Sequence, residues 1–421
     1  MVEIKPFKAY RYNKEIIGDC SKVIAPPYDV IMREYRDKLR GRSPYNCIWV
    51  TLGEEIEENK GKNLYAEARK NLDKWIAEGA IKQDEKPAIY AYEQVYTLAD
   101  GKEYNRRGMI PLVKLTPFED GIVLPHEFTL SGPKIDRLDL LRATEFNTES
   151  IFALFKDNSG RINEILAKKM NSQPEFEATD DNNVKSRLWL IHEEDDVNEL
   201  VELMKDKKLF IADGHHRYET HVNYSKENPK ADTMPILLVE MNDPGLVVLP
   251  THRLMYGIEG FGFNDFVGKL KKWFGTEKVS GSPKELEEML AEKHDKAFIA
   301  RSHGITILFS LKESLDLMEL MPDLVDELRN LDVSILHRAV IERLLGVSAE
   351  QIARKEHIQY VKDFAQAIEK ADSEKFDVGF LMNATKKQQV VDSCLAGQKM
   401  PQKSTYFYPK IVSGLLFRKI E

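Results

Sequence analysis

The sequence predicts an α+β fold with mixed sheets. Short apolar runs of strand length, such as Ala88 to Thr97 and Pro235 to Met241, are bounded by turn residues. Between them stand segments with apolar residues at helical spacing, such as 63–79. The 421 residues, 42% apolar and 31% charged, give room for two or three domains. No window approaches the ~20 apolar residues of a membrane span. The net charge of −8 argues against a surface that binds nucleic acid broadly. Cys20, Cys47 and Cys394 lie far apart, without metal-ligand spacing or a disulfide framework, which suits a reducing cytoplasm. Met1 to Phe7 lacks the apolar core of a signal peptide.

Taken in order, Ile4 to Tyr12 reads as a strand and Lys22 to Ile24 as a second run. Pro26 and Pro27 then fix a rigid loop carrying Tyr28 and Asp29. Such a loop holds a substrate at low entropic cost, although Asp29 serves equally as a helix cap. A helix follows at 33–39, a turn at 43–46, and Cys47 to Leu52 reads as a buried strand. The helix at 63–79 places Leu64, Ala68, Leu72, Trp75 and Ile76 on one face and stops at Gly79. Asp100-Gly101 joins 88–97 and 104–115 into a hairpin. In its second strand Arg106 and Arg107 point to opposite faces.

A second informative stretch runs from Val123 to Lys134. His126 and Glu127 offer a proton-transfer pair. Ser131, Gly132 and Lys134 offer a backbone nest and a cation for phosphate. A well-solvated loop with capping residues accounts for the same residues. A helix at 138–144, strands at 150–155 and 185–191, and helices at 163–170 and 198–204 lead to the central motif.

That motif is Leu209-Phe210-Ile211-Ala212-Asp213-Gly214-His215-His216-Arg217-Tyr218-Glu219-Thr220, with a helix to about Tyr224. A strand running into a tight turn at a helix start presents free backbone N–H groups. Gly214 leaves room for a ligand, Asp213 supplies a carboxylate, and His215, His216 and Arg217 supply donors. A polar helix start with solvated histidines is the plain alternative.

Strands at 235–241 and 246–249 precede Pro250-Thr251-His252-Arg253, another polar strand end. From about residue 257 the pattern changes. Helices are expected at 264–274, 283–294, 321–328, 333–344, 364–370 and 385–396, and strands at 297–300, 304–311 and 377–383. Met400 to Lys410 pairs lysines and hydroxyls, among them Lys403, Ser404 and Thr405, with prolines and aromatics. It suits either closure over an anion or ordinary C-terminal packing.

Together APPYDVI (25–31), RSPYN (42–46), LPHEFTLSGPK (124–134), ADGHHRYET (212–220), PTHR (250–253) and KSTYFYPK (403–410) resemble the family called domain of unknown function 1015 over essentially the whole chain. The central motif also resembles the second box of the ParB/sulfiredoxin superfamily, and more closely the Asp-Gly-His-His-Arg motif of its ADP-dependent serine kinases. The resemblance implies a ParB/sulfiredoxin-like domain at 1–256 and a C-terminal α/β domain at 257–421 whose tail returns to the cleft. It implies that Gly214, His215, His216 and Arg217 hold the transferring phosphoryl group and that Asp213 binds a metal or moves a proton. Glu127 is the candidate for the kinases' separate catalytic glutamate, with Asp29 second.

The resulting expectation is a cytoplasmic phosphotransferase of serine or phosphoserine using ADP or ATP with Mg²⁺. Asp213, His215, His216 and Glu127 are its catalytic set, with Asp213 as the metal ligand. Gly214, Arg217, Ser131, Gly132, Lys134, Lys403, Ser404 and Thr405 hold phosphate or nucleotide. Tyr28, Asp29, His126, His252 and Arg253 hold substrate. A homodimer is compatible with this reading. Two alternatives stand beside it: a ParB-like nucleotide switch without turnover, and a metal-dependent phosphohydrolase. The hydrolase is disfavoured because adjacent histidines on a helix point different ways.

Overall fold

The computed structural model describes residues 1–53, 65–129 and 131–421. The chain divides into two compact units. The first comprises 1–125, 129–247 and 409–421, and the second 126–128 and 248–408.

The first unit is built on a mixed sheet with ten strands among the described residues. Five position the site: β1 (Ile89–Thr97), β2 (Glu103–Ile110), β3 (Ile151–Phe155), β4 (Leu209–Asp213) and β5 (Thr233–Glu240). The sheet order through them is β1-β2-β5-β3-β4. β1 and β2 form the hairpin that Asp100-Gly101 predicts, in antiparallel register Gln94 to Arg106. β5 and β3 are parallel, whereas β3 and β4 are antiparallel with an irregularity between Ile211 and Asp213. Ile89, Ala91, Met109, Ile151, Ala153, Ile211 and Leu238 form one apolar face of the sheet. It packs on helices Arg161–Met170 and Glu194–Met204, whose Ile162, Ile165, Leu166, Val197 and Leu200 lie in the same core. Two further helices flank the site: α1 (Ser131–Thr144) and α2 (His215–Glu227). The tail is woven into this unit, with Ser413 bridged to Ala25, Phe417 to Tyr10, and Arg418–Lys419 paired with Phe146–Asn147.

The second unit holds a six-stranded antiparallel sheet ordered Phe274–Val279, Ile305–Leu311, Ala297–Ser302, β7 (Val378–Met382), β6 (His252–Met255), Ile358–Val361. Helices Pro283–Glu292 and Phe364–Ala371 cover it through Leu286, Leu290, Phe364 and Ile368. β6 lies inside the segment expected to end the first domain at residue 256, yet it pairs on both sides within this second sheet.

Several local expectations are corrected. Cys47 to Leu52 is not a strand: Ile48–Thr51 is a single helical turn with Ile48 and Val50 buried. A short apolar run fits either geometry, and here Asn46 settles it by accepting from the Ile48 N–H at 2.9 Å. The first expected strand is two short ones, Ile4–Lys5 and Tyr10–Tyr12, in different sheets. Residues 20–22 form a 3₁₀ turn. The helix expected at 321–328 is replaced by turns at Leu317–Leu320 and Asp326–Arg329. Beyond them Asp332–Ile335 continues as a π-helix, Leu336–Glu342. The helix expected at 63–79 spans Ala66–Ala77; Asn63 and Leu64 lie outside the described residues. Among the described residues no helix is long and apolar enough to cross a membrane.

Candidate functional site

β4 ends at Asp213, and Gly214 caps α2 in the left-handed region (φ 96°, ψ 29°). A side chain is strained at that φ, and a Cβ there would lie 2.7 Å from Ile151 Cγ2. The glycine therefore answers to the backbone turn and to Ile151, and not to the ligand approach expected of it.

Asp213 is the hub. One carboxylate oxygen accepts from Arg217 Nη2 at 2.8 Å, one helical turn away, and the other from Lys410 Nζ. Arg217 Nη1 also donates to the Ser150 carbonyl at 2.8 Å. Burial pushes the Asp213 carboxyl up, but the charges of Lys410, Arg217 and His215 outweigh it and hold the group well below the usual carboxylate range. Asp213 is thus ionised across the neutral range and is a poor proton acceptor. Its chemistry here is to fix two cations at the start of α2. His215 is buried and His216 half-buried. Both sit in the first turn of α2, where the helix dipole favours an anion.

Arg137 of α1 forms a second buried knot. It donates to Asp136 at 2.6 Å, to the Thr51 carbonyl at 2.8 Å and to Glu149 at 3.3 Å, and lies 3.9 Å over the Tyr28 ring. Glu149 in turn accepts from Ser413 Oγ at 2.9 Å. The negative charges of Glu149, Asp213 and Asp29 all act on Arg217. Burial pushes the Tyr28 phenol up to about 12. His221, one turn beyond Arg217, donates from Nδ1 to the Arg217 carbonyl at 2.7 Å, and burial pulls its imidazole down to about 4. A cavity of about 10 Å³, room for one water, lies among Arg137, Thr148, Glu149, Arg217 and His221.

Tyr28 and Asp29, expected to hold substrate, thus stand within the electrostatic reach of Arg217. Lys134 does not present a lone cation. It donates to Glu219 at 2.9 Å and to Thr129 at 3.2 Å, and so ties α1 to α2. Ser131 and Gly132 open α1 where a loop was expected.

The remaining expected residues belong to the second unit. His126 is fully buried, and its Nε2 shares a hydrogen with Thr405 Oγ1 at 2.8 Å. Glu127 bridges in parallel to Met400. Arg253 is buried and donates to the carbonyls of Thr251 and Lys403, to Met382 Sδ, and to His337 Nε2 at 3.3 Å. His252 Nδ1 accepts from the Met382 amide at 3.4 Å. Ser404 Oγ donates to the Pro401 carbonyl at 2.5 Å, while the Ser404 carbonyl accepts from Thr385 at 2.7 Å. Lys403 turns through a positive φ of 57°. These contacts make PTHR and KST bracing elements of their own unit. The structure gathers Tyr28, Asp29, Lys134 and 213–219 in one unit and His126, Glu127, His252, Arg253 and 403–405 in the other.

The Asp213 donor set does not fit a resident Mg²⁺, because both its oxygens already face cations. Among the described residues no group of three or more His, Cys, Asp or Glu side chains is arranged to hold a metal.

A family model described as protein of unknown function (DUF1015) matches residues 4–334. The chain belongs to this family. No curated protein matches this DUF1015 chain. Its structure is loosely similar to a free serine kinase in complex with AMP, at 13% identity and a TM-score of 0.35, covering 68% of this chain and 84% of the kinase. A conserved hypothetical protein from Pyrococcus furiosus gives 15%, 0.33, 69% and 89%, and C-terminally truncated SbnI from Staphylococcus aureus 10%, 0.36, 72% and 86%. Alignments this loose fix neither fold nor activity.

Sequence reasoning on this DUF1015 chain missed Lys410, Glu149, Arg137 and His221. Lys410 stood in a noted motif, but its partner is 197 residues away. Asp213 and Arg217 show the helical i, i+4 spacing of an ion pair, a local signal that was available.

Proposed function

We propose that this chain is a nucleotide-linked phosphotransferase acting on serine or phosphoserine, in a ParB/sulfiredoxin-like catalytic unit. The observation that carries the reading is the partly buried Asp213 carboxylate clamping Arg217 and Lys410 at the N-terminal turn of α2, beside His215 and His216. Phosphoryl transfer needs charge neutralisation and positioning more than covalent work. Two oriented cations and helix amides supply both. With Asp213 held ionised, proton transfer at the serine hydroxyl falls to Asp29, which lies in the same unit. ADP or ATP is the co-substrate, and any Mg²⁺ travels with its phosphates. The three buried, free cysteines suit a cytoplasmic setting.

In the phosphoserine-to-AMP direction, the bond from phosphorus to the serine oxygen breaks and one to an AMP phosphate oxygen forms. The serine oxygen takes up a proton. Incubation of phosphoserine with AMP should yield serine and ADP in equal amounts. Asp213→Asn should lower kcat by roughly 10²–10³, the usual cost of losing one preorganised electrostatic element. Absence of products in both directions, with no rise in Tm from ADP, ATP or phosphoserine, would end this reading.

A further inference from the structure

Arg106 on β2 and Asp213 on β4 share one sheet, with β5 and β3 between them. The Arg106 guanidinium lies 4.5 Å from the centre of the Phe152 ring, and Phe152 is the ladder partner of Asp213. Arg106 Nη2 donates to Gln94 Oε1. Gln94 Nε2 then donates to the Lys410 carbonyl at 3.0 Å, and the Lys410 ammonium holds Asp213. A continuous chain of contacts therefore joins Arg106 to the site.

Arg106 differs from the other buried arginines beside it. Arg217 and Arg137 each touch a carboxylate. Arg106 is 1% exposed, and its Nε and Nη1 meet no acceptor. Asp213 and Asp243 act on it only through space, and burial pulls it down to about 10. A buried cation without a contacting anion is costly unless its counter-charge arrives from elsewhere.

Resting on the phosphotransfer reading, we propose that Arg106 is the subsite for a carboxylate of the substrate, one oxygen of which accepts from Nη1 while the substrate's phosphoryl group lies at the Asp213–Arg217 turn. The substrate class is then an alcohol, or its phosphate ester, that also carries a carboxylate. A monoanion matches the single charge of a guanidinium that has no carboxylate in contact and whose Nη2 is already engaged by Gln94.

Calorimetric titration of the full chain with O-phospho-L-serine, O-phosphoethanolamine and ADP tests this. The two phosphate esters differ in the carboxylate alone. The native protein should bind phosphoserine at least about tenfold more tightly than phosphoethanolamine. Arg106→Gln should erase that preference and leave the affinities for phosphoethanolamine and ADP unchanged. A preference retained in Arg106→Gln overturns the proposal, and so does a loss of ADP binding instead, which would give Arg106 to the nucleotide. Arg106→Lys keeps the charge without the planar donors and should lose most of the preference, so it serves if Arg106→Gln does not fold. If the native protein binds none of the three ligands, the phosphotransfer reading itself has failed.

Discussion

Arg217 and Arg253 each follow a histidine at the polar end of an apolar run, and the sequence presents them alike. Their surroundings differ completely. Arg217 faces carboxylate charge, pairing with Asp213 and lying in the field of Glu149 and Asp29. Arg253 meets backbone carbonyls, a thioether and an imidazole, with no ion pair of its own among the described residues. The first arrangement is a cluster of opposite charges, the one on which the proposed phosphotransfer rests. The second is a brace without a carboxylate partner that fastens β6 to the 403 turn and to the π-helix. A histidine–arginine signature therefore indicates a buried guanidinium, and its counter-groups decide whether that guanidinium binds or braces.

The comparison can be broken at several points. The largest effect is expected from Arg217→Gln. On the proposed function, phosphotransfer should fall by roughly 10²–10³ in kcat, because the clamp loses one of its two cations. Arg253→Gln should instead lower the stability of the second unit by about 1–3 kcal/mol, since it strands the buried Thr251 carbonyl. Urea denaturation followed by circular dichroism checks this, and equal losses of activity and stability in both variants would erase the distinction. Gly214→Ala should cost about 1–3 kcal/mol, from a positive φ and contact with Ile151.

The remaining effect is a pH dependence. The folded-state pKa of His221 is pulled down to about 4 and that of His252 to about 3, both by burial. The unfolded chain binds these protons first, near the ordinary value of about 6.5. Stability should thus be constant for these groups above about pH 6.5 and fall as the pH drops towards 4 and then 3. Asp243 and Asp332, raised by burial to about 6, act in the opposite sense and lose stability as the pH rises through 6. His221→Asn should therefore flatten the acid side of a urea-midpoint profile between pH 6.5 and 4. An unchanged slope would show that His221 does not titrate on unfolding.

Much of the architecture was legible locally. The strand, turn and helix at 209–227 and the Asp100-Gly101 hairpin follow from apolar runs and turn chemistry. So did the split between buried Arg106 and the more exposed Arg107, which strand alternation alone predicts. What escaped was either short or distant. Cys47 to Leu52 is too brief for its period to declare itself, and Asn46 decides its conformation. The loop read at Ser131 to Lys134 is a first helical turn. Lys410 on Asp213 and Ser413 on Glu149 join residues far apart in the chain. No local pattern carries such pairings.

The Asp213–Lys410 pair also sets an order of events during synthesis. The residues between its two halves include nearly all of the second unit. At roughly 5–20 residues per second, Lys410 leaves the ribosome roughly 10–40 s after Asp213. Until then the strand edge that receives the tail, and the carboxylate that receives its lysine, are both without their final partner. The first unit can collapse early, but its electrostatic centre is among the last features of the molecule to be completed.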